Sequence, residues 1–154
     1  MKQFALTLIA PLRPVDHTYV GAHLSPALHA LFRRMPRAEQ LHGIDIARQL
    51  EAQGYRDPDL IVAALLHDVG KIVAPPRLWE RVIVVLAEHA APTFAAFCPL
   101  RAFVARRRHP AWGANLVARA GASPRTSDLI RRHHTPPGPD AKLAALQAID
   151  EDAK

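Results

Sequence analysis

A repeated dipeptide, in which a polar side chain precedes a proline, divides this chain into helices. It occurs as Ser25-Pro26, Asp57-Pro58 and Ser123-Pro124, and a fourth pair, His109-Pro110, has a similar form. Proline is favoured in the first turn of a helix, where the N–H that it lacks has no intrahelical partner. Ser and Asp are favoured just before it, because their side chains accept hydrogen bonds from the free N–H groups. The four pairs therefore predict four helix starts.

Glycines and prolines also mark where helices end. Gly54, Gly70 and Gly121 each follow a helix-like segment, and glycine is the usual residue just past a helix C-terminus. The preceding segments are 41–53, 63–69 and 111–120. The stretch Thr135–Pro139 reads Thr-Pro-Pro-Gly-Pro, which predicts a loop between a helix that ends at His134 and a last helix near 141–150.

Apolar residues between these marks recur at helical spacing, and alternation typical of strands is rare. Residues 4–9 are one exception and are predicted to be an extended N-terminal arm. Residues 82–86 form a β-branched run, which we assign to a helix because it continues into an alanine-containing segment. The prediction is an all-α protein, a single bundle of about five to seven helices, since 154 residues fit one domain.

Cysteine content and the N-terminal segment indicate a cytoplasmic protein. Cys98 is the only cysteine, so no internal disulfide is possible. The apolar segment 4–10 is too short to span a bilayer, and no small-residue cleavage site follows it. We therefore expect a protein that is not associated with a membrane.

The net charge of +6 comes mainly from arginine, with clusters at Arg106, Arg107 and Arg108 and at residues 131–132. Such clusters can steer anionic substrates toward a cleft, or they can be a solvated helix surface. Nucleic-acid binding is not favoured, because the chain has only 2 Trp, 2 Tyr and 5 Phe and no alternation of aromatic and basic residues.

The pair His67-Asp68 is the strongest chemical signal. It ends an apolar helix and is followed at once by Val69-Gly70-Lys71. An adjacent imidazole and carboxylate offer nitrogen and oxygen ligands to one metal ion, and the carboxylate can bridge to a second ion. Alternatively, Asp68 simply accepts a hydrogen bond from the imidazole at a helix end.

Other ligand-type residues favour the metal site. His42 and Asp150 each interrupt an apolar helical stripe, where a polar side chain is costly unless it is paired or bound to a metal. His109 is predicted at a helix start, and His133 and His134 at the end of the next helix. The remaining histidines, at 17, 23, 29 and 89, are predicted to be surface or core residues rather than ligands.

The string Ala63 to Lys71, with His42 before it and Asp150 after it, resembles the signature of the HD superfamily of metal-dependent phosphohydrolases, over roughly residues 38–152. His109-Pro110 with Gly113 behind it, followed by His133-His134, resembles the HD-GYP branch, whose members cleave cyclic dinucleotides with two or three metal ions. The resemblance divides the chain into an N-terminal arm and helix, residues 1–35, and the metal-binding domain, residues 36–154.

The resemblance implies two metal sites that share one carboxylate. His42, His67, Asp68 and Asp150 would hold one ion, and Asp68 would bridge to a second ion held by His109, His133 and His134. Lys71 would contact a phosphate oxygen or the bridging water, and Arg106, Arg107 and Arg108 are candidate phosphate contacts. Mixed nitrogen and oxygen ligands favour Mn, Fe or Zn over Mg.

The chain departs from the HD-GYP pattern after its paired histidines. Thr135 and the prolines stand where that branch has an acidic residue and a Gly-Tyr-Pro loop, and its glutamate ligand has an approximate counterpart in Glu39. The predicted substrate is a phosphorylated small molecule, either a nucleotide or a cyclic dinucleotide, cleaved as a phosphodiester or phosphomonoester. The alternative is a metal-binding signalling or scaffold module without turnover, and a homodimer is possible for either.

Overall fold

The computed structural model describes residues 13–74 and 101–153, and within these ranges it contains seven α-helices and one short 3-10 helix. The predicted all-α class is confirmed. The α-helices are α1 (His17–His23), α2 (Pro26–Arg33), α3 (Arg37–Ala52), α4 (Pro58–Leu66), α5 (Arg101–Arg119), α6 (Pro124–Arg132) and α7 (Ala141–Asp152). The 3-10 helix covers Val69–Ile72. The predicted arm at 4–9 and the predicted helix at 82–86 lie outside the described residues, as does His89.

Three of the four predicted helix starts are confirmed. The side chains of Ser25, Asp57 and Ser123 accept hydrogen bonds from backbone N–H groups in the first turns of α2, α4 and α6. These N···O distances are 3.4, 3.0 and 2.9 Å. Asp16 and Asp140 cap α1 and α7 in the same way without a proline behind them.

The fourth predicted start, His109-Pro110, is wrong, because Pro110 lies inside α5. His109 does not cap the backbone N–H groups that follow it. Its Nδ1 lies 2.7 Å from the backbone carbonyl oxygen of Arg106, one turn upstream. The side chain therefore bonds toward the preceding turn, and the helix continues through the proline.

Two of the three predicted glycine stops are confirmed, with φ of 91° at Gly54 and 86° at Gly121. The third is wrong, because α4 already ends at Leu66 and Gly70 belongs to the 3-10 helix without a positive φ. Gly70 is needed for another reason. A Cβ built there would overlap the carbonyl oxygen of His109 and lie 2.7 Å from the backbone nitrogen of Gly113.

The core forms around α4, which packs against α1, α3, α6 and α7. Six of its nine residues are buried: Leu60, Ile61, Ala63, Ala64, Leu65 and Leu66. A helix that is apolar on nearly every side belongs in the interior of a bundle. Helices α1 and α2 cover one side of this core with Val20, Leu28 and Phe32. The C-terminus of α4 therefore carries the residues that follow it, His67 and Asp68, into the middle of the molecule.

No helix in the described ranges has both the length and the apolar composition required to cross a membrane.

Candidate metal centre

Two groups of metal-ligand side chains lie inside the bundle. One consists of His42 on α3, His67 after α4 and Asp150 on α7, and all three residues are buried. The other consists of His109 on α5 with His133 and His134 after α6, of which only His134 is exposed. In each group the three ligand atoms lie within 4.8 Å of one another. The helical packing thus gathers donors that are up to 108 residues apart in the sequence.

Asp68 lies between the two groups and faces both. Its Oδ2 is 3.3 Å from Nε2 of His67, and its Oδ1 is 3.3 Å from Nε2 of His109. A carboxylate placed in this way offers one oxygen to each side. The seven ligand-type residues predicted from the sequence therefore form one continuous cluster in the structure.

Three of the histidines are oriented by the same hydrogen bond. The Nδ1 atoms of His67, His109 and His133 donate to the backbone carbonyl three residues earlier, at distances of 2.9, 2.7 and 2.7 Å. A carbonyl oxygen can only accept, so the proton must be on Nδ1. This leaves Nε2 of each ring facing the cluster, and it is the arrangement commonly found for histidines that bind metals.

A buried nitrogen without a hydrogen-bond partner also fits a metal ion. Nε2 of His67 is buried and has no hydrogen-bond partner among the described residues. It lies 3.3 Å from a carboxylate oxygen of Asp68 and 3.7 Å from one of Asp150, without hydrogen-bond geometry. A buried polar atom without a partner is costly. A cation coordinated by these atoms would satisfy all of them together.

The negative charges of Asp68 and Asp150 beside His67 also favour a bound cation. Burial alone would lower the pKa of His67, but the carboxylates of Asp68 and Asp150 outweigh it and raise this pKa to about 9. In the metal-free protein the imidazole is therefore held as a cation by its neighbours. A divalent ion would take over this role and displace the proton, as is usual when metal ligands are protonated.

His133 is in the opposite electrostatic state. Burial lowers its pKa well below the usual value, and the nearby charges of His67 and His134 lower it further. The ring is therefore neutral near pH 7, which is the form in which histidine binds a metal.

Lys71 is the principal positive charge beside Asp68. Its Nζ lies 2.6 Å from Oδ2 of Asp68 and 3.1 Å from Oε2 of Glu39. Burial opposes ionisation of Asp68, yet the charges of Lys71 and His67 hold its pKa well below the ordinary range. Partial burial would lower the pKa of Lys71, but the two carboxylates outweigh it and raise this pKa. Asp68 and Lys71 are therefore both ionised at neutral pH.

A cleft of about 290 Å³ opens next to the second donor group. Its lining includes His133, His134 and Asp150 from the two groups, and the proline-rich loop forms one wall. The remaining lining residues are Thr135, Pro136, Pro137, Gln147 and Glu151. Three of the donors therefore line a cleft that opens to solvent, although only His134 is itself exposed.

Gln147 and Glu151 were not anticipated from the sequence. The amide of Gln147 donates to the backbone oxygens of Arg132 and Thr135, at 3.2 and 2.7 Å, and so fixes the loop against α7. The sequence did contain a signal, because Gln147 lies three residues before Asp150 and positions three apart share one helix face.

The predicted phosphate contacts occupy two different places. Lys71 is inside the cluster, with its side chain 24% exposed. Arg106, Arg107 and Arg108 are exposed on α5 in the turn before His109, and none of them lines the cleft described above.

The comparison with protein families agrees with this geometry. Residues 40–152 match the family model of the HD domain, so the chain belongs to the HD domain family. All seven donors lie within the matched range. HD domains bind divalent metal ions, and they are typically metal-dependent hydrolases. No curated protein and no solved structure matched the chain.

Proposed function

We propose that this HD domain is a metal-dependent phosphohydrolase that cleaves a nucleotide-type phosphodiester or phosphomonoester. The observation that carries the proposal is the position of Asp68, with one carboxylate oxygen 3.3 Å from His67 and the other 3.3 Å from His109. A single carboxylate between two donor groups suits a pair of ions better than one ion.

The proposed ligands follow the two groups. His42, His67, Asp68 and Asp150 would hold one divalent ion, and Asp68, His109, His133 and His134 the other. Two such ions would supply an activated water and neutralise charge on the phosphoryl oxygens. The many imidazole ligands favour Mn, Fe or Zn over Mg.

The chain's own residues have separate roles beside the ions. Asp68 remains ionised because Lys71 and His67 offset the cost of its burial. Lys71 has three N–H donors and uses two of them on Asp68 and Glu39. Its third donor is suited to a phosphate oxygen, because the side chain is partly exposed. Arg106, Arg107 and Arg108 would attract the anionic substrate from solvent.

The cleft is the proposed entry for substrate. Its volume of about 290 Å³ is at the lower end of small-molecule sites, which suits a nucleotide-sized ester. The HD-GYP-like order of histidines favours a cyclic dinucleotide, whereas Thr135 and Pro136 stand where that branch has an acid and a glycine. We therefore keep both a nucleotide and a cyclic dinucleotide as substrate classes.

The test combines metal content with turnover in one preparation. Purified protein would be subjected to elemental analysis and assayed with added Mn²⁺ on bis(p-nitrophenyl) phosphate and p-nitrophenyl phosphate. We expect about two ions per chain and hydrolysis of at least one ester. His67→Ala and Asp68→Ala should lose both metal and activity. His29→Ala is the matched control, because His29 lies outside the cluster, and it should keep both.

The second candidate is a metal-binding signalling module without turnover. It is favoured by the salt bridge between Glu39 and Lys71, because this bridge engages the carboxylate that approximates the glutamate ligand of the HD-GYP branch. Metal bound at about two ions per chain without hydrolysis of either ester would support this candidate. A wild-type protein that binds no metal would overturn both.

A further inference from the structure

Pro110 occupies a costly position in α5. The helix runs from Arg101 to Arg119, so Pro110 is an interior residue. An interior proline lacks the N–H that would bond to the carbonyl four residues earlier, and its ring also presses on that carbonyl. Because a proline at this position destabilises the helix, we looked for an interaction that it makes possible.

In a regular helix, a backbone N–H at position 110 would donate to the carbonyl oxygen of Arg106, four residues earlier. This oxygen is the acceptor for Nδ1 of His109, at 2.7 Å. With an ordinary residue at position 110, the backbone N–H would compete for the same oxygen. The proline thus removes the competitor of the imidazole.

The other two oriented histidines bond to carbonyls at helix ends. His67 and His133 directly follow the last residues of α4 and α6, Leu66 and Arg132. Their acceptors, the carbonyls of Ala64 and Ile130, are among the last four of each helix, which have no intrahelical partner. His109 lies in mid-helix and lacks this advantage.

We propose that Pro110 is a positioning residue, because it supplies no backbone N–H to compete with Nδ1 of His109 for the Arg106 carbonyl and thereby directs Nε2 of that ring toward Asp68. The inference rests on the proposed function for the identity of what Nε2 binds. The orientation itself is independent of it, because it consists of a distance between two side chains of this chain, 3.3 Å from Nε2 of His109 to Oδ1 of Asp68. His42, within α3, shows the contrast, since its Nδ1 has no hydrogen-bond partner among the described residues.

The test is Pro110→Ala in the whole 154-residue chain, with Pro26→Ala as the control. Pro26 is the first residue of α2, where its missing N–H costs nothing and no ligand depends on it. Three quantities are measured: the tautomer of His109 in metal-free protein by ¹⁵N NMR, the Mn²⁺ and Zn²⁺ affinities by calorimetry, and the melting temperature.

For Pro110→Ala we expect the Nδ1–H form of His109 to become less populated and the affinity for one of the two ions to fall about tenfold or more, as for other groups that orient metal ligands. The melting temperature of the metal-free protein should rise, because the helix regains a hydrogen bond. A purely structural role predicts no such opposition between stability and metal affinity. Pro26→Ala should change neither the tautomer nor the affinities.

A Pro110→Ala variant with the wild-type tautomer and wild-type affinities would overturn the inference. The two proposals fail separately. If the wild-type protein binds no metal, the proposed function is wrong, and the tautomer of His109 in the variant still decides whether Pro110 positions the ring.

Discussion

Gly70 and Gly113 face each other across the contact between the 3-10 helix and α5. A Cβ on Gly113 would lie 3.1 Å from the backbone nitrogen of Gly70, and a Cβ on Gly70 would lie 2.7 Å from that of Gly113. Two backbones can approach so closely only without side chains between them. This contact brings Asp68, two residues before Gly70, next to His109, four residues before Gly113.

Gly70→Ala should therefore destabilise the protein and damage the metal centre together. The added methyl group meets backbone atoms of α5, which cannot move aside as a flexible side chain would. We expect a loss of about 3 kcal/mol in the free energy of unfolding, at the upper end for overpacking, and weaker metal binding. Urea unfolding and calorimetry measure the two effects.

Gly21→Ala is the control, because the same substitution there should increase the free energy of unfolding. Gly21 is an exposed residue within α1, and the nearest atoms to an added Cβ are 3.9 Å away on His29. Alanine should stabilise the helix by about 0.5–1 kcal/mol. Equal stabilities of the two variants would show that the approach of Gly70 to α5 is less tight than the structure indicates.

Lys71→Met should destabilise the metal-free protein, because it leaves the carboxylates of Asp68 and Glu39 buried without their shared cation. Removal of one partner from a buried ion pair typically costs roughly 3–5 kcal/mol, and the partial exposure of Lys71 places the expectation near the lower value. Glu39→Gln in the same chain should restore part of this loss. A double-mutant cycle measures the coupling, and strict additivity would contradict the pairing of Lys71 with Glu39.

The ion pairs of Asp140 predict a stability change in acid. Its side chain accepts hydrogen bonds from Arg125, at 2.9 and 2.6 Å, which together with the charges of Arg125 and Arg132 lower the pKa of Asp140 to about 2. Because the folded-state pKa lies below the ordinary value of 3.8, the stabilisation is complete above about pH 4 and is lost as the pH falls through 2.

Asp140→Asn isolates this charge, since asparagine also caps helices well and α7 begins at residue 141. The variant should be less stable than the wild type by about 0.5–1 kcal/mol at pH 6, a modest value for a solvent-screened pair. The difference should shrink toward zero near pH 2. A difference in unfolding free energy that is constant from pH 6 to pH 2 would assign the effect to something other than the carboxylate.

Metal ions should raise the melting temperature, because they bind the folded chain and not the unfolded one. A free ion concentration 100 times the dissociation constant adds about 2.7 kcal/mol per site. Removal of the ions with a chelator should reverse the shift. His42→Ala should reduce it and His17→Ala should not, since only His42 belongs to a donor group. Identical shifts in both variants would place the ions elsewhere.

Much of the fold could be predicted from local signals. Ser25, Asp57 and Ser123 act within a single helical turn, so their capping is readable from neighbouring residues alone. His109-Pro110 could not be read in this way. A proline in the first turn and one in mid-helix look alike in sequence, and the dipeptide does not show that the helix already begins at Arg101.

The candidate site was readable where polar residues interrupt apolar stripes, as at His42 and Asp150. The contacts between distant segments that build the site could not be predicted from the sequence. Gly70 looked like a helix stop, and its close approach to α5 follows from the packing of segments about 40 residues apart. The resemblance makes Glu39 an approximate counterpart of a family ligand, and the pairing of its carboxylate with Lys71, at 3.1 Å, is visible only in the structure.

One turn of α5 carries both the imidazole of His109, which faces Asp68, and Gly113, against which the backbone of Gly70 packs, since His109 and Gly113 are four residues apart. Each residue advances an α-helix by about 100°. An insertion or deletion of one residue between them would therefore turn the ring away from the carboxylate, or replace Gly113 at the contact by a residue whose side chain meets the backbone of Gly70. The number of residues between His109 and Gly113 is therefore fixed by the helix geometry.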